Sequence, residues 1–494
     1  MTDRATEATR RRPRTLGIVC LLVVTLIAGC SDDGDDTSRT SDQRPSTDSA
    51  ESLEWEDCDL ARDAECATLR VPLDWSDPDG PQIDLALGRI RSSGDRIGSL
   101  LTNPGGPGGS GLEFLGYQPF SPDITSRFDI VSWDPRGVGR STAVSCGTNV
   151  DPFLALDPDP DDTGEEQELN EAAERVSSEC ADADAELLPH VGTPDTARDM
   201  DAIRSALGEE AISFVGFSYG TAIGQQYAAL FPDRVRAMVL DGVVDPAQTF
   251  TEWQLGQISG FDAAFASQAA GCRTAGRTEC GVADLAAAYD EVHARVEVTP
   301  LDPGSNKVGP AELATAAIYT AYGSDGWQNL GPALADAQEG DGARLRELAD
   351  AYYDLGGYTA YAAIECLDAP TPEGDAAFTA FVDRARAQSP RFGGAVGNEL
   401  RPCATWPVRP ADGRQSLGPL TAPGTPTIVV IGNTGDPATP LANAEAVAAR
   451  LGSGHLVRVN VDRHTAYGSD DCVTETVDEY LIDPTEPVTT TDCN

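Results

Sequence analysis

The segment FVGFSYGT, Phe214–Thr221, sets Ser218 between glycines, after an apolar run and ahead of TAIGQQYAALF. Strand, GxSxG turn and helix in succession suit a nucleophile, because the glycines permit a turn tight enough to expose the hydroxyl. A turn serine with no chemistry would read the same way, so its partners must decide. A serine attacks at neutral pH only beside a base, and the base needs an acid to orient it. Downstream stand His293, His455 and His464. His293 falls inside a helical stretch and His455 opens a strand. His464, in VNVDRHTAYG, follows that strand, where a loop can return to the serine. The acid is expected after the preceding strand, where TIVVIGNTGDPATP supplies Asp436. Thr439 is placed either to fix that carboxylate or to serve as a plain turn hydroxyl. Asp462 is nearer to His464 in sequence, but at a strand end it points elsewhere.

Acyl transfer at Ser218 would also need backbone donors set in advance for the oxyanion. The loop NPGGPGGSG, Asn103–Gly111, is rich enough in glycine for its amides to approach a substrate closely. The expected donors are the N–H groups of Gly106 and Tyr219. A phosphate-binding loop is excluded, since the lysine of GxxxxGK[ST] is missing. With no CxxC and only four histidines, neither a metal nor any other cofactor is expected.

The elements that must position these residues alternate between short β-rich runs and helical stretches, the pattern of a mainly parallel sheet with helices on both faces. Expected strands are 67–72, 83–90, 98–102, 128–133, 211–215, 237–240, 427–431 and 456–461, and TPDTARDMDAIRSAL (193–207) reads as a helix with an acidic first turn. From 246 to 423 the chain is Ala-rich and lacks strand alternation, after which core-type strands return. A helical lid spliced into a continuing sheet is implied. The expected organisation is therefore a signal segment at 1–29, a tether at 30–52, a core at 53–245, the lid at 246–423 and the rest of the core at 424–494.

In an α/β-hydrolase the acid and then the histidine follow the serine, which is the order here. NPGGPGGSG, WDPRGVGRS (133–141), GFSYGT, GNTGDPATP and RHTAYG together resemble the prolyl-aminopeptidase-related serine peptidases of that superfamily. They are most similar to the exported actinobacterial tripeptidyl aminopeptidases and their cell-envelope carboxylesterase and protease relatives. The resemblance runs from about Glu65 to the end and implies the α/β-hydrolase fold. It also implies a triad of Ser218, Asp436 and His464 and an oxyanion hole of Gly106 and Tyr219. Relatives with HGGPG carry histidine where this chain has Pro104, a difference that the actinobacterial subgroup tolerates.

The formal charge is -45 and the single lysine is Lys307, so nucleic acid, which is bound through clustered cations, is excluded as a partner. The basic RRRPR (10–14) precedes the apolar LGIVCLLVVTLIAGC, the layout of an export signal too short for a comfortable span. It ends at Leu26–Cys30, which resembles a bacterial lipobox. Cys30 is the expected lipidation site, unless the signal is ordinary and the cysteine fortuitous. The Ser-, Asp- and Thr-rich stretch after it reads as a tether. The expected location is the outer face of the cytoplasmic membrane. Ten further cysteines suit disulfides in an exported protein. Sequential pairing is expected for Cys58, Cys66, Cys146, Cys180, Cys272, Cys280, Cys366, Cys403, Cys472 and Cys493, since Cys58 with Cys66 and Cys272 with Cys280 close short loops.

The sequence thus points to a serine hydrolase that releases short peptides from free N-termini. A carboxylesterase or lipase with the same triad is the alternative, and an inactive envelope scaffold is disfavoured by the intact triad. Epoxide hydrolysis would need an acid at Ser218. An α-amino group is cationic near neutral pH, so an aminopeptidase needs a carboxylate at a fixed distance from the serine. In AAIECLDAP, Glu365 and Asp368 are the candidates, and the motif resembles a cysteine–acid element of the family's lid. Both could instead be surface acids of a very acidic chain. Residue preference and oligomeric state have no signature.

Overall fold

The computed structural model describes residues 53–117, 119–147, 150–301, 307–414 and 416–494. The signal-like segment, Cys30 and the whole of the tether lie outside them. Among the described residues ten strands form one sheet: β1 (Glu56–Asp57), β2 (Ala64–Pro72), β3 (Gln82–Ile90), β4 (Gly98–Asn103), β5 (Phe128–Trp133), β6 (Ile212–Phe217), β7 (Val235–Asp241), β8 (Ile428–Asn433), β9 (Gly454–Val459) and β10 (Asp492–Cys493). Their order is β1-β2-β3-β5-β4-β6-β7-β8-β9-β10. The pairs β1·β2, β2·β3 and β3·β5 are antiparallel, and every pair from β5·β4 to β9·β10 is parallel. This is the expected α/β-hydrolase arrangement.

β4, β5, β6 and β8 are buried along their whole lengths. That accounts for their apolar centres and their lack of strict apolar–polar alternation, since a strand covered on both faces has no wet side. On one face Met200 and Ile203 of helix Thr193–Ala206, Tyr227 of Gly220–Leu230 and Val447 of Leu441–Leu451 pack on Leu101, Phe214 and Val430. On the other, Ile124, Val473 and Leu481 pack on Leu100, Val215 and Val429. The parallel connections all run through helices, as crossovers require.

Between β7 and β8 the described residues form helices, apart from one isolated bridge between Leu301 and Val308. The first, Phe250–Ala275, opens with a capping box in which Thr249 and Glu252 satisfy each other's backbone amides. This insertion has a core of its own around Phe261, Phe265, Leu313, Leu334 and Phe392. A second helical piece lies outside it in sequence, with helix Thr163–Ala183 joined to the insertion by Ser177, whose hydroxyl donates to Pro402 O at 2.6 Å. Five disulfides link the ten cysteines in sequential order: Cys58–Cys66, Cys146–Cys180, Cys272–Cys280, Cys366–Cys403 and Cys472–Cys493.

Candidate active site

Ser218 occupies the turn between β6 and helix Gly220–Leu230 with φ of 52°, a left-handed conformation that a β-substituted residue holds only under constraint. The constraints are visible. Its N–H donates to Asp241 O at 2.9 Å, and its carbonyl accepts from Thr221 N at 2.9 Å and Thr221 Oγ1 at 2.6 Å. The glycines are sterically required: a Cβ on Gly216 would stand 2.5 Å from Gly220 O, and one on Gly220 would stand 2.5 Å from Asn103 O.

His464 Nδ1 lies 2.9 Å from each carboxylate oxygen of Asp436. The carboxylate is itself fixed, because Oδ1 accepts from Ala438 N at 2.9 Å and Thr439 N at 2.8 Å while Oδ2 accepts from Thr439 Oγ1 at 3.0 Å. An acid on Nδ1 puts the proton there and leaves Nε2 as the acceptor. Among the described residues the buried Nε2 has no hydrogen-bond partner, and His464 and Ser218 line the same cavity. Burial alone would lower the imidazole pKa, but the charge and hydrogen bond of Asp436, with a contribution from Asp241, hold it above its ordinary 6.5.

The loop after β9 that carries this histidine is held from two sides. From the lid, Tyr322 O accepts the His464 N–H at 3.0 Å and the Tyr322 ring meets the imidazole edge-on at 5.3 Å. From the sheet, the fully buried Asp241 accepts from Tyr467 N at 2.8 Å and Ala466 N at 2.9 Å, and burial pushes its own pKa up to about 6. Gly242 packs so closely on the ring that a Cβ would fall 2.9 Å from His464 Cε1.

Gly106 lines the cavity beside Ser218, and among the described residues nothing accepts from its N–H or from that of Tyr219. The loop is fitted to the turn, since a Cβ on Gly105 would stand 2.6 Å from Tyr219 N. Asp134 of the WDPRG segment anchors the loop's far end, accepting from Ser110 Oγ at 2.6 Å and Leu112 N at 3.1 Å.

The cavity holds about 540 Å³ between core and lid. Its wall is rich in aromatic rings, and its one carboxylate among the described residues is Glu399. Tyr352 donates to Glu399 Oε1 at 3.1 Å and Tyr361 to Oε2 at 3.2 Å, while burial raises the carboxyl pKa against those bonds.

The acids expected to face the substrate are placed differently. Asp368 is buried away from the cavity lining, accepting from Tyr219 Oη at 2.8 Å, Thr193 N at 2.9 Å and Arg414 Nη2 at 2.7 Å. Glu365 is also buried and off the lining, its pKa pushed well up by burial and by Asp368 and Glu399. Neither is a surface acid, and helical phase does not separate them from the cavity-lining tyrosines: Tyr358, Tyr361, Glu365 and Asp368 share one face of helix Tyr358–Asp368, and the two acids lie further along its axis, past the stretch that lines the cavity. Of the other weighed residues, Asp462 accepts from Ser267 Oγ at 2.6 Å, His293 pairs with Glu297 at 3.2 Å and His455 Nε2 meets Thr490 O at 2.7 Å. Glu399 and Asp241 were not singled out from sequence. Only the position of Asp241 at the end of a strand beside the serine's own offered a signal.

Residues 389–493 match the family described as "TAP-like protein". The chain is 37% identical over 459 residues to "Serine protease Hip1" of Mycobacterium tuberculosis, with 87% of each chain covered. It is 32% identical over 468 residues to "Tripeptidyl aminopeptidase" of Streptomyces lividans, covering 87% of this chain and 84% of that one. It is 36% identical over 458 residues to "Carboxylesterase B" of Mycobacterium tuberculosis, covering 87% and 86%.

Proposed function

Since this chain belongs to the TAP-like serine hydrolases of the α/β-hydrolase superfamily, we propose that it is a peptidase that releases short peptides from free N-termini through an acyl-enzyme on Ser218. The observation that carries the reading is the strained Ser218 sharing a cavity with an imidazole whose Nδ1 is held by Asp436 and whose Nε2 is unengaged. In this reading Nε2 takes the hydroxyl proton as Oγ attacks the scissile carbonyl. The N–H groups of Gly106 and Tyr219 receive the developing oxyanion. The imidazolium then gives its proton to the departing amine, and the acyl group remains on Oγ. Water, deprotonated by the same nitrogen, attacks the acyl carbon and frees the acid and the serine.

The carboxylate of Glu399 supports a free-amine substrate, because a lone acid in an aromatic wall favours a cation through both charge and ring faces. Carboxylic ester hydrolysis is the second reading, favoured by the apolar remainder of the wall and by the name of one relative. One panel separates them: peptide amides and esters, each with free and blocked N-termini. Ser218→Ala should abolish turnover of all four with the fold intact, a loss of several orders of magnitude. Glu399→Gln should raise KM for free-amine peptides about 10-fold or more while sparing blocked esters. Equal effects on both substrate types would favour the esterase.

We also place the enzyme at the outer face of the cytoplasmic membrane through a lipid on Cys30. Five disulfides suit that oxidising compartment. Cys30→Ala should move the protein from the membrane fraction, and an unchanged fraction would count against the anchor.

A further inference from the structure

Helix Tyr358–Asp368 of the insertion touches both strands of backbone that carry the proposed oxyanion donors. Its start lies on the glycine loop, where a Cβ on Gly108 would stand 2.9 Å from Tyr361 N and 3.3 Å from Gly357 O. The two backbones meet at a spacing that only glycine allows. Its last residue reaches Tyr219, next to the serine. The Tyr219 phenol donates to Asp368 Oδ2 at 2.8 Å, and the same oxygen accepts from Thr193 N at 2.9 Å. Thr193 Oγ1 lies 3.0 Å from the phenol, and Arg414 Nη2 donates to Asp368 Oδ1 at 2.7 Å. The disulfide Cys366–Cys403 ties this end of the helix to the turn Arg401–Thr405.

Asp368 is 5% exposed, Tyr219 5% and Thr193 1%, so the core of the cluster is buried. An apolar contact would hold the helix down at least as well, since a buried ion pair contributes little net stability. What hydrogen bonds add is direction. The phenol hangs from the Cα whose own amide is the proposed donor, so fixing the ring fixes the orientation of that peptide.

We propose that Asp368 is a positioning residue: by holding Tyr219 it sets the Tyr219 N–H for the oxyanion, and so makes lid docking a condition of efficient chemistry. This rests on the reading of Ser218 as nucleophile. It assigns Asp368 to the chemical step for every substrate, in contrast to recognition of a free amine.

The test is Tyr219→Phe, Asp368→Asn and the double variant, each assayed on a free-amine peptide and on a blocked ester. Displacing one donor should lower kcat about 10- to 100-fold on both substrates with KM changed less than about 3-fold. The Ki of a peptide aldehyde, whose adduct places an oxyanion in the hole, should rise by a similar factor. The double variant should be no slower than the slower single one, because both remove the same linkage. Tyr219→Phe retains the ring and the amide, so it keeps the test open should Asp368→Asn fail to fold. Wild-type kcat and aldehyde affinity in Tyr219→Phe would overturn the proposal, as would additive losses or a defect confined to KM for free-amine peptides. Fluorophosphonate labelling of the wild type separates the two levels: modification at Ser218 upholds the underlying reading, and its absence overturns both.

Discussion

His464 combines two demands that pull in opposite directions. It must be neutral to accept a proton from Ser218, yet Asp436 and Asp241 favour its charged form strongly enough to outweigh burial. Activity should therefore rise with pH and reach half its plateau above the ordinary 6.5 of an imidazole. Asp436→Asn removes the largest influence that raises the pKa, so the midpoint should move down. At the same time kcat should fall about 10⁴-fold, because an amide can hold the wrong tautomer. A pH–rate profile of kcat/KM for both proteins checks the sign, and a midpoint unmoved in the variant would dissociate Asp436 from the histidine. The three residues of the candidate triad could be picked out from sequence because each lies in the loop or turn that follows a strand, where order along the chain fixes position. Glu399 could not. It lies in a seven-residue helix, and what distinguishes it is contact with Tyr352 and Tyr361, which are 47 and 38 positions away.

At the scale of elements, the sheet was legible because buried parallel strands announce themselves as apolar runs, and β5 begins and ends where expected. The two-residue strands β1 and β10 carry no such run; pairing alone defines them, beside the disulfides Cys58–Cys66 and Cys472–Cys493. The WDPRG segment was read as a likeness, and its physics appears only in three dimensions. Arg136 and Asp199 form a pair with both side chains wholly buried, at 2.6 Å, and Arg136 also donates to Leu73 O at 2.8 Å and His190 O at 3.1 Å. One guanidinium thus ties the end of β2 to helix Thr193–Ala206. Arg136→Met should cost about 3–5 kcal/mol by leaving Asp199 unpaired, whereas pairing it with Asp199→Leu should recover much of the loss. Urea denaturation of both variants checks this, and a double variant no better than the single would mean that the carbonyl contacts dominate.

For the whole molecule the dominant quantity is the charge of -45, carried by 80 acids against 35 lysines and arginines. Many arginines are already committed to ion pairs, such as Arg96 with Asp129 and Glu209 and Arg450 with Asp245, so the uncompensated charge is acidic. Like charges repel most when the chain is compact, which destabilises the folded state and draws cations toward it. Salt should then act on stability and catalysis with opposite signs. Raising ionic strength from about 0.02 to about 0.5 M shortens the screening length from roughly 20 Å to roughly 4 Å, so self-repulsion weakens and Tm should rise by several degrees. Over the same range kcat/KM for a peptide with a free N-terminus should fall several-fold, because the field that gathers a cationic substrate is screened as well. A blocked, neutral ester provides the control, since its kcat/KM should stay nearly flat. Thermal melts and the two rate series on one preparation measure all three. A Tm that falls with salt would show that ion pairs outweigh repulsion, and matching salt curves for ester and peptide would remove charge from substrate capture.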